Sequence, residues 1–354
     1  MRQSIRMLRT EDGVNLAWAE SGSGLPLVRA STWLTHLEFD WDSPVWRHWV
    51  QFLTSHFRLI RYDERGCGMS DWRVDDVSFE RWFDDFETVV EAARPTKPFA
   101  ILGMSQGGAA AIRYAIRYPE NVSHLILYGA YAQGWAERDE SDVAVAYKAI
   151  MQLTKLGWGQ DNPVYRQLFT SRFVPEATPE QLDWFNELCR KTTTPDMATK
   201  LLDQRGRVNI IDLLEQVSVP TLVMHATNDE VVPLSAGRVL ATRIPDARFV
   251  QLDSRNHILL DGEPAWDRFM EEVVAFTGVR PVDGAEDPIF EVLSKREREI
   301  LLCMADGCTN AAIGERLFIS DKTVRNHVTR IFEKLGVHSR AEAIVLAKDK
   351  HLQP

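Results

Sequence analysis

The chain has 354 residues, 45% of them hydrophobic and 26% charged, which excludes a disordered or fibrous polypeptide and exceeds what one typical core organises, so two domains are expected. Its net charge of −10 is unevenly placed: Ile289 to Pro354 carries eleven Lys/Arg against nine Asp/Glu, leaving −12 for the first 288 residues, so a phosphate-rich partner suits only the C-terminal part. Met1 to Glu20 shows no basic-then-apolar leader, and no apolar run approaches the ~20 residues of a membrane span, so a cytoplasmic location and no membrane partner are expected.

In chain order, short β-branched runs alternate with longer amphipathic ones. Pro26 to Arg29, Phe57 to Tyr62, Phe99 to Leu102, Ser123 to Tyr128, Thr221 to His225 and Arg248 to Leu252 read as strands. Phe79 to Ala93, Ser105 to Tyr118, Ser235 to Ile244 and Pro264 to Phe276 read as helices between them. The alternation predicts an α/β fold with a mostly parallel sheet covered on both faces. Between about Tyr131 and Asn209 no strand signal occurs. Helical patterns there carry Trp135, Tyr147, Trp158, Phe169, Phe173, Trp184 and Phe185, so a helical cap over about 131–209 is predicted, its aromatics suited to an apolar ligand or to plain core packing.

The apolar strand Phe99 to Leu102 runs into Gly103-Met104-Ser105-Gln106-Gly107, and a helix rich in small residues follows. A Gly-x-Ser-x-Gly sequence in a strand–turn–helix setting is a nucleophile elbow: the glycines permit the sharp turn, and the helix start points N–H groups at the site. A nucleophilic serine needs a base and an orienting acid. Asp229 follows the strand Thr221 to His225, and His257 follows the strand Arg248 to Leu252. Each stands just past a strand, where open α/β sheets build their sites.

The segment 279–288, rich in Gly, Pro and Asp, reads as a linker between a domain at 1–278 and a second one at 289–354. Four helical patterns then follow. Ser294-Lys295-Arg296-Glu297 is a capping box and opens the first, which runs to Gly307. Thr309 caps the second, and Phe318-Ile319 forms a tight link. Ser320 caps the third, whose inward stripe is Val324, Val328, Ile331 and Leu335; Gly336 ends it, and the fourth passes through Ile344 and Leu346. Two helices joined by a short turn, the second with its polar face outward, make a helix-turn-helix. Lys322, Thr323, Arg325, Asn326, Thr329 and Arg330 lie off the apolar stripe and suit phosphates and base edges, while His327 sits beside the stripe and is expected to pack.

These motifs carry two resemblances. Residues 1 to about 278 resemble an α/β hydrolase with a cap domain, through Ser105, Asp229 and His257 in that chain order and through Asp63-Glu64-Arg65-Gly66-Cys67-Gly68-Met69-Ser70, which is similar to a structural loop of that family. Residues 289–354 resemble the LuxR-type, GerE-like helix-turn-helix domain, through the runs Leu293 to Leu301, Lys322 to Val328 and Lys334 to Ala341. The first resemblance implies Ser105 as nucleophile, His257 as base and Asp229 as its orienting acid, with oxyanion donors on Gln106 and on Thr32 or Trp33. The family's usual His-Gly is replaced here by Pro26 to His36. The second implies Arg325, Asn326 and Thr329 in the major groove, Lys322, Thr323 and Arg330 on phosphates, and a fourth helix that helps pair two modules.

The expected function is a DNA-binding transcription regulator, pairing as a homodimer on double-stranded DNA, whose first domain binds or also hydrolyses a small apolar ester- or lactone-like ligand. The competing reading is a serine esterase or lactonase whose last domain mainly dimerises it. The four cysteines (Cys67, Cys189, Cys303, Cys308) form no CxxC pair, so neither a metal site nor a disulfide framework is indicated, and no motif calls for a cofactor.

Overall fold

Strands buried on both faces read as mainly apolar runs, and the central strands of this protein do so, Ala100 to Leu102 and Leu125 to Tyr128 among them. The computed structural model describes residues 3–138, 141–158, 170–281, 288–349 and 352. Its contacts divide the chain into two compact units, Met1–Arg280 and Pro281–Pro354. Of the linker expected over 279–288, residues 282–287 lie outside the described residues.

The first unit is built on one sheet, ordered β1 (Ser4–Arg9), β2 (Asn15–Ser21), β4 (Phe57–Tyr62), β3 (Leu25–Arg29), β5 (Phe99–Met104), β6 (Val122–Tyr128), β7 (Thr221–Ala226) and β8 (Arg248–Leu252). From β4 to β8 every pairing is parallel. The sheet is nevertheless mixed, because β1 and β2 add an antiparallel edge. Sequence patterning does not show these two: β1 is largely exposed and holds two arginines, and β2 is alanine-rich, a residue depleted from strands.

Alternation along each central strand sends side chains to two separate cores. Ile101, Leu125 and Leu127 join Phe83, Phe86 and Ile112 of α2 (Phe79–Ala93) and α3 (Gly107–Arg117) on one face. Ala100, Leu102 and Ile126 join Trp49, Trp266 and Phe269 of α1 (Arg47–His56) and α8 (Pro264–Thr277) on the other. Helix α7 (Leu234–Arg243) completes the first face through Leu240.

The insertion leaves and re-enters the sheet through a paired stem. Gln133 bridges Asn209, the Gly134 N–H donates to the Val208 carbonyl at 2.7 Å, and the Ile210 N–H donates to that of Ala132 at 2.9 Å. Its helices include α4 (Ser141–Gly157), α5 (Pro179–Thr192) and α6 (Pro195–Gly206). Thr178 and Gln181 cap the start of α5 reciprocally, with Pro179 in its first turn. Phe169, expected in this insertion, lies outside the described residues.

The loop Asp63–Ser70, after β4, is held by buried charge. Asp63 accepts from the Leu37 N–H at 3.0 Å and the Met69 N–H at 2.9 Å. Arg65 grips both oxygens of Asp85, at 2.8 and 2.7 Å, and reaches Asp12 at 2.8 Å.

The second unit holds α9 (Lys295–Ala305), α10 (Asn310–Leu317), α11 (Asp321–Leu335) and α12 (Arg340–Asp349). Ser294 and Glu297 form the capping box, while Thr309 and Ser320 accept from backbone N–H groups at the next two helix starts. Phe290, Ile300, Leu301, Ile313, Val324 and Ile331 are fully buried between the helices, and Val328 packs at the margin. On α12 the buried positions are Ala343 and Ala347, whereas Val345 is 56% exposed. Among the described residues no helix is long and apolar enough to cross a membrane, and all four cysteines are free thiols.

The Arg65–Asp85 pair is buried on both sides, so removing the cation leaves an uncompensated carboxylate. Arg65→Ala is expected to destabilise the first unit by about 3–5 kcal/mol. Urea denaturation followed by tryptophan fluorescence checks this, since all eleven tryptophans lie in that unit; an unchanged midpoint contradicts it.

Candidate active-site pocket and nucleic-acid face

Ser105 occupies a left-handed backbone conformation, φ +48°, between the end of β5 and the start of α3. Non-glycine residues pay for that conformation, and surrounding contacts must enforce it. Here the Ser105 N–H donates to the Tyr128 carbonyl at 3.0 Å, and the Ser105 carbonyl accepts from Gly108 at 3.1 Å. A Cβ on Gly107 would stand 2.8 Å from the Ser31 carbonyl oxygen, and one on Gly103 would stand 2.8 Å from Ala111 Cβ and Gly108 Cα. The glycines thus let β5, α3 and the loop after β3 close on one another. Gln106 is the N-cap of α3, so its N–H belongs to the helix start, where donors lack intrahelical acceptors.

His257 and Asp229 converge on the same place. His257 Nδ1 and Asp229 Oδ2 are 2.6 Å apart, and Asp229 Oδ1 accepts from the N–H groups of Val231 and Val232 at 2.8 and 2.9 Å. Burial opposes ionisation of Asp229, but the His257 charge and hydrogen bond outweigh it and hold the carboxyl below its ordinary 3.8. The His257 backbone is tied to the cap, its N–H donating to the Phe173 carbonyl at 2.8 Å.

Ser105, Gln106, His257, Thr32 and Trp33 all border one cavity, about 840 Å³ counted out to its mouth. Of the cap aromatics expected near a ligand, Trp135, Tyr147, Phe173 and Phe185 line it. Trp158 instead packs on Trp33, 5.8 Å between ring centres, and Trp184 stacks on Phe39 at 4.9 Å.

Sequence reading missed three arginines in the wall: Arg138, Arg172 and Arg205. Arg205 was detectable. Helix α6 buries Met197, Ala198, Leu201 and Leu202, and Arg205 falls next on that stripe, a charge at an apolar position. Among the described residues no group of His, Cys, Asp and Glu is arranged to hold a metal.

On the second unit, Lys322, Arg325, Asn326, Thr329 and Arg330 are exposed along α11, with Thr323 half-buried near its N-terminus. Thr323 is engaged in the Ser320 cap at 2.8 Å, Thr329 Oγ1 donates to the Arg325 carbonyl at 3.2 Å, and Arg325 pairs with Asp321 one turn earlier at 2.9 Å. Such an exposed pair is worth little and yields readily to a phosphate or base. The turn between α10 and α11 is tight: a Cβ on Gly314 would stand 2.7 Å from the Ile319 carbonyl oxygen, and Phe318 takes φ +55° with 94% of its surface exposed. His327 is half-buried beside the stripe, its Nδ1 without a partner.

Two family models match the chain. The one described as bacterial regulatory proteins, luxR family, covers residues 291–347, and the one described as serine aminopeptidase, S33, covers 47–264. The chain belongs to the α/β hydrolases, and its residues 291–347 form a LuxR-type helix-turn-helix domain, which implies DNA binding.

It is similar to the AB hydrolase superfamily protein YisY of Bacillus subtilis, 26% identical over 71% of this chain and 91% of that protein. It is also similar to the transcriptional regulatory protein LiaR of the same species, 32% identical over 39% of this chain and 65% of that one. An esterase from Exiguobacterium antarcticum superposes with a TM-score of 0.63 at 24% identity, over 77% of this chain and 98% of that one, a likeness that shows the fold alone.

Because its folded value is depressed, Asp229 contributes stability that is complete above about pH 4 and is lost as pH falls through that lower value. Asp229→Asn is expected to cost about 1.5–3 kcal/mol at pH 7, the worth of hydrogen bonds to a charged group, with the difference from wild type shrinking below pH 4. Urea denaturation from pH 3 to 7 reads this, and a difference independent of pH contradicts it.

Proposed function

We propose that this protein is a transcription regulator that reads duplex DNA through α11 and whose pocket binds, and turns over, a small ester- or lactone-like ligand. The observation that carries the chemistry is the 2.6 Å His257–Asp229 contact on a cavity bordered by a left-handed Ser105. In this reading Ser105 Oγ attacks the ligand carbonyl while His257 Nε2 takes its proton, and Asp229 fixes the imidazole tautomer and offsets the imidazolium charge. The Gln106 N–H and one N–H from Thr32 or Trp33 receive the oxyanion; its collapse breaks the ester C–O bond, the His257 imidazolium protonates the departing alkoxide, and a water deprotonated by His257 then releases the acyl group from Ser105. Since the loop after β3 departs from His-Gly, loss of one donor would cost ~2.7–4 kcal/mol of transition-state stabilisation, turning the enzyme into a slow sensor of its own ligand.

On the DNA side, Arg325, Asn326 and Thr329 contact base edges, and Lys322, Thr323 and Arg330 hold phosphates. Two copies pair through α12, where Val345 stands exposed, and the ligand acts by favouring one of two arrangements of the pair. The constellation around Ser105 equally favours a second reading, an esterase or lactonase whose last domain serves pairing.

Two experiments separate these readings. Footprinting of the full-length protein on a duplex recovered by selection from random sequences is expected to show two protected half-sites a helical turn apart. Arg325→Ala or Asn326→Ala should then cost ~1–3 kcal/mol and relax base preference, whereas Lys322→Ala weakens all duplexes alike. No protection, or variants equal to wild type, leaves only the hydrolase. A fluorophosphonate probe is expected to label the wild type but not Ser105→Ala, and Asp229→Asn should slow labelling by up to ~10⁴; absent labelling removes the chemistry and leaves a binding pocket.

A further inference from the structure

Arg205 is an odd tenant of an apolar stripe. Its side chain is 6% exposed, and it stands on α6 against the indole of Trp33, 4.5 Å from ring centre to guanidinium carbon. Glu64, itself buried, takes only its Nη2. Nε and Nη1 are buried and donate to nothing among the described residues. An ionised group out of water with unpaired donors is costly, so such a residue is kept where something else completes its bonds.

The wall around it points to what that is. Arg138 and Arg172 also border the cavity, and among the described residues no Asp or Glu does. Both are held by carbonyls, Arg138 Nε donating to Gln133 at 3.0 Å and Arg172 Nη2 to Glu230 at 2.8 Å. Both lie over tyrosines, Arg138 above Tyr131 and Arg172 above Tyr147, and no carboxylate of a described residue pairs with either. Within an acidic domain, this cavity is locally positive, and most of the rest of its wall is aromatic or aliphatic. Arginine in that setting suits carboxylates.

We infer that the pocket takes an amphipathic carboxylate, a ligand whose apolar body lies among Trp135, Tyr147 and Phe173 and whose carboxylate oxygens accept from Arg205. This rests on the reading of the cavity as a ligand pocket and narrows the ligand from a plain apolar ester to one that also carries an acid group. Glu64 holds the guanidinium in place without saturating it. One carboxylate matches the two donors that Glu64 leaves unsatisfied, whereas an uncharged ligand offers them weaker acceptors.

The test is calorimetric binding to full-length Ser105→Ala protein, which removes turnover, using phenylacetate, 3-phenylpropionate and 4-phenylbutyrate, each beside its primary amide. At least one acid is expected to bind ~10–100-fold tighter than its amide, the factor that a hydrogen bond to a charged group supplies. Adding Arg205→Gln should collapse that ratio towards one with amide binding unchanged, and Arg205→Lys should keep part of it. Should Arg205→Gln fail to fold, the acid-to-amide ratio and Arg205→Lys decide.

An acid preference in no pair, or one undiminished by the Arg205 variants, overturns the inference. Fluorophosphonate labelling of the wild type separates the two proposals. Labelled Ser105 with no acid preference sinks the carboxylate alone, and acid preference with unlabelled Ser105 sinks the chemistry alone.

Discussion

A single backbone turn constrains the hydrolase unit. Ser105 can hold φ +48° only because Gly103, Gly107 and Gly108 leave room for β5, α3 and the loop after β3 to touch. The same absence of side chains that allows the turn sets the site's dimensions: it lifts the serine out at the sheet edge, and it brings the start of α3 against Ala30 and Ser31. The residues that border the cavity with Ser105 are therefore fixed by backbone contacts, and the side chains above them are free to vary with the ligand.

The loop that departs from the family's His-Gly is anchored by other means. Arg61 donates to the Leu37 carbonyl at 2.7 Å, Asp63 accepts from the Leu37 N–H, and Arg29 reaches Thr32 at 3.3 Å. Asp40 stands with them, its carboxyl pushed up to about 7 by burial despite the nearby Arg61. This cluster of buried charge beneath residues 30–40 holds the segment that carries Thr32 and Trp33. Buried ionic groups of this kind specify geometry more than they add stability. The cap contributes at the opposite wall, where Phe173 ties the His257 loop and Arg205 rests on Trp33.

Much of this was legible in the sequence where a pattern has one physical cause. Runs buried on both faces gave the parallel strands, the elbow glycines gave the turn at Ser105, and capping residues at Ser294, Thr309 and Ser320 marked three helix starts that the structure keeps. What escaped lacked such a cause. Strand β1 is mostly exposed and polar, and β2 and α1 have mixed patterns that tertiary pairing overrides. The helix expected from Ser105 begins two residues later, at Gly107, because the serine belongs to the strained turn. Arg205 is a different case: a charge on an apolar stripe was detectable, but it makes sense only once the cavity beside it is seen. Trp158 and Trp184 show the converse, aromatics that packing claims.

The central claim is that occupancy of the pocket sets DNA affinity, and equilibrium linkage tests it without knowledge of the natural ligand. Fluorescence anisotropy on the selected duplex would compare full-length protein, free and with Ser105 blocked by diisopropyl fluorophosphate. A ligand-responsive regulator should show affinities differing by about 5-fold or more, the usual span of allosteric coupling. Identical affinities at matched salt would contradict the account, leaving a DNA reader and a hydrolase that share a chain without communicating.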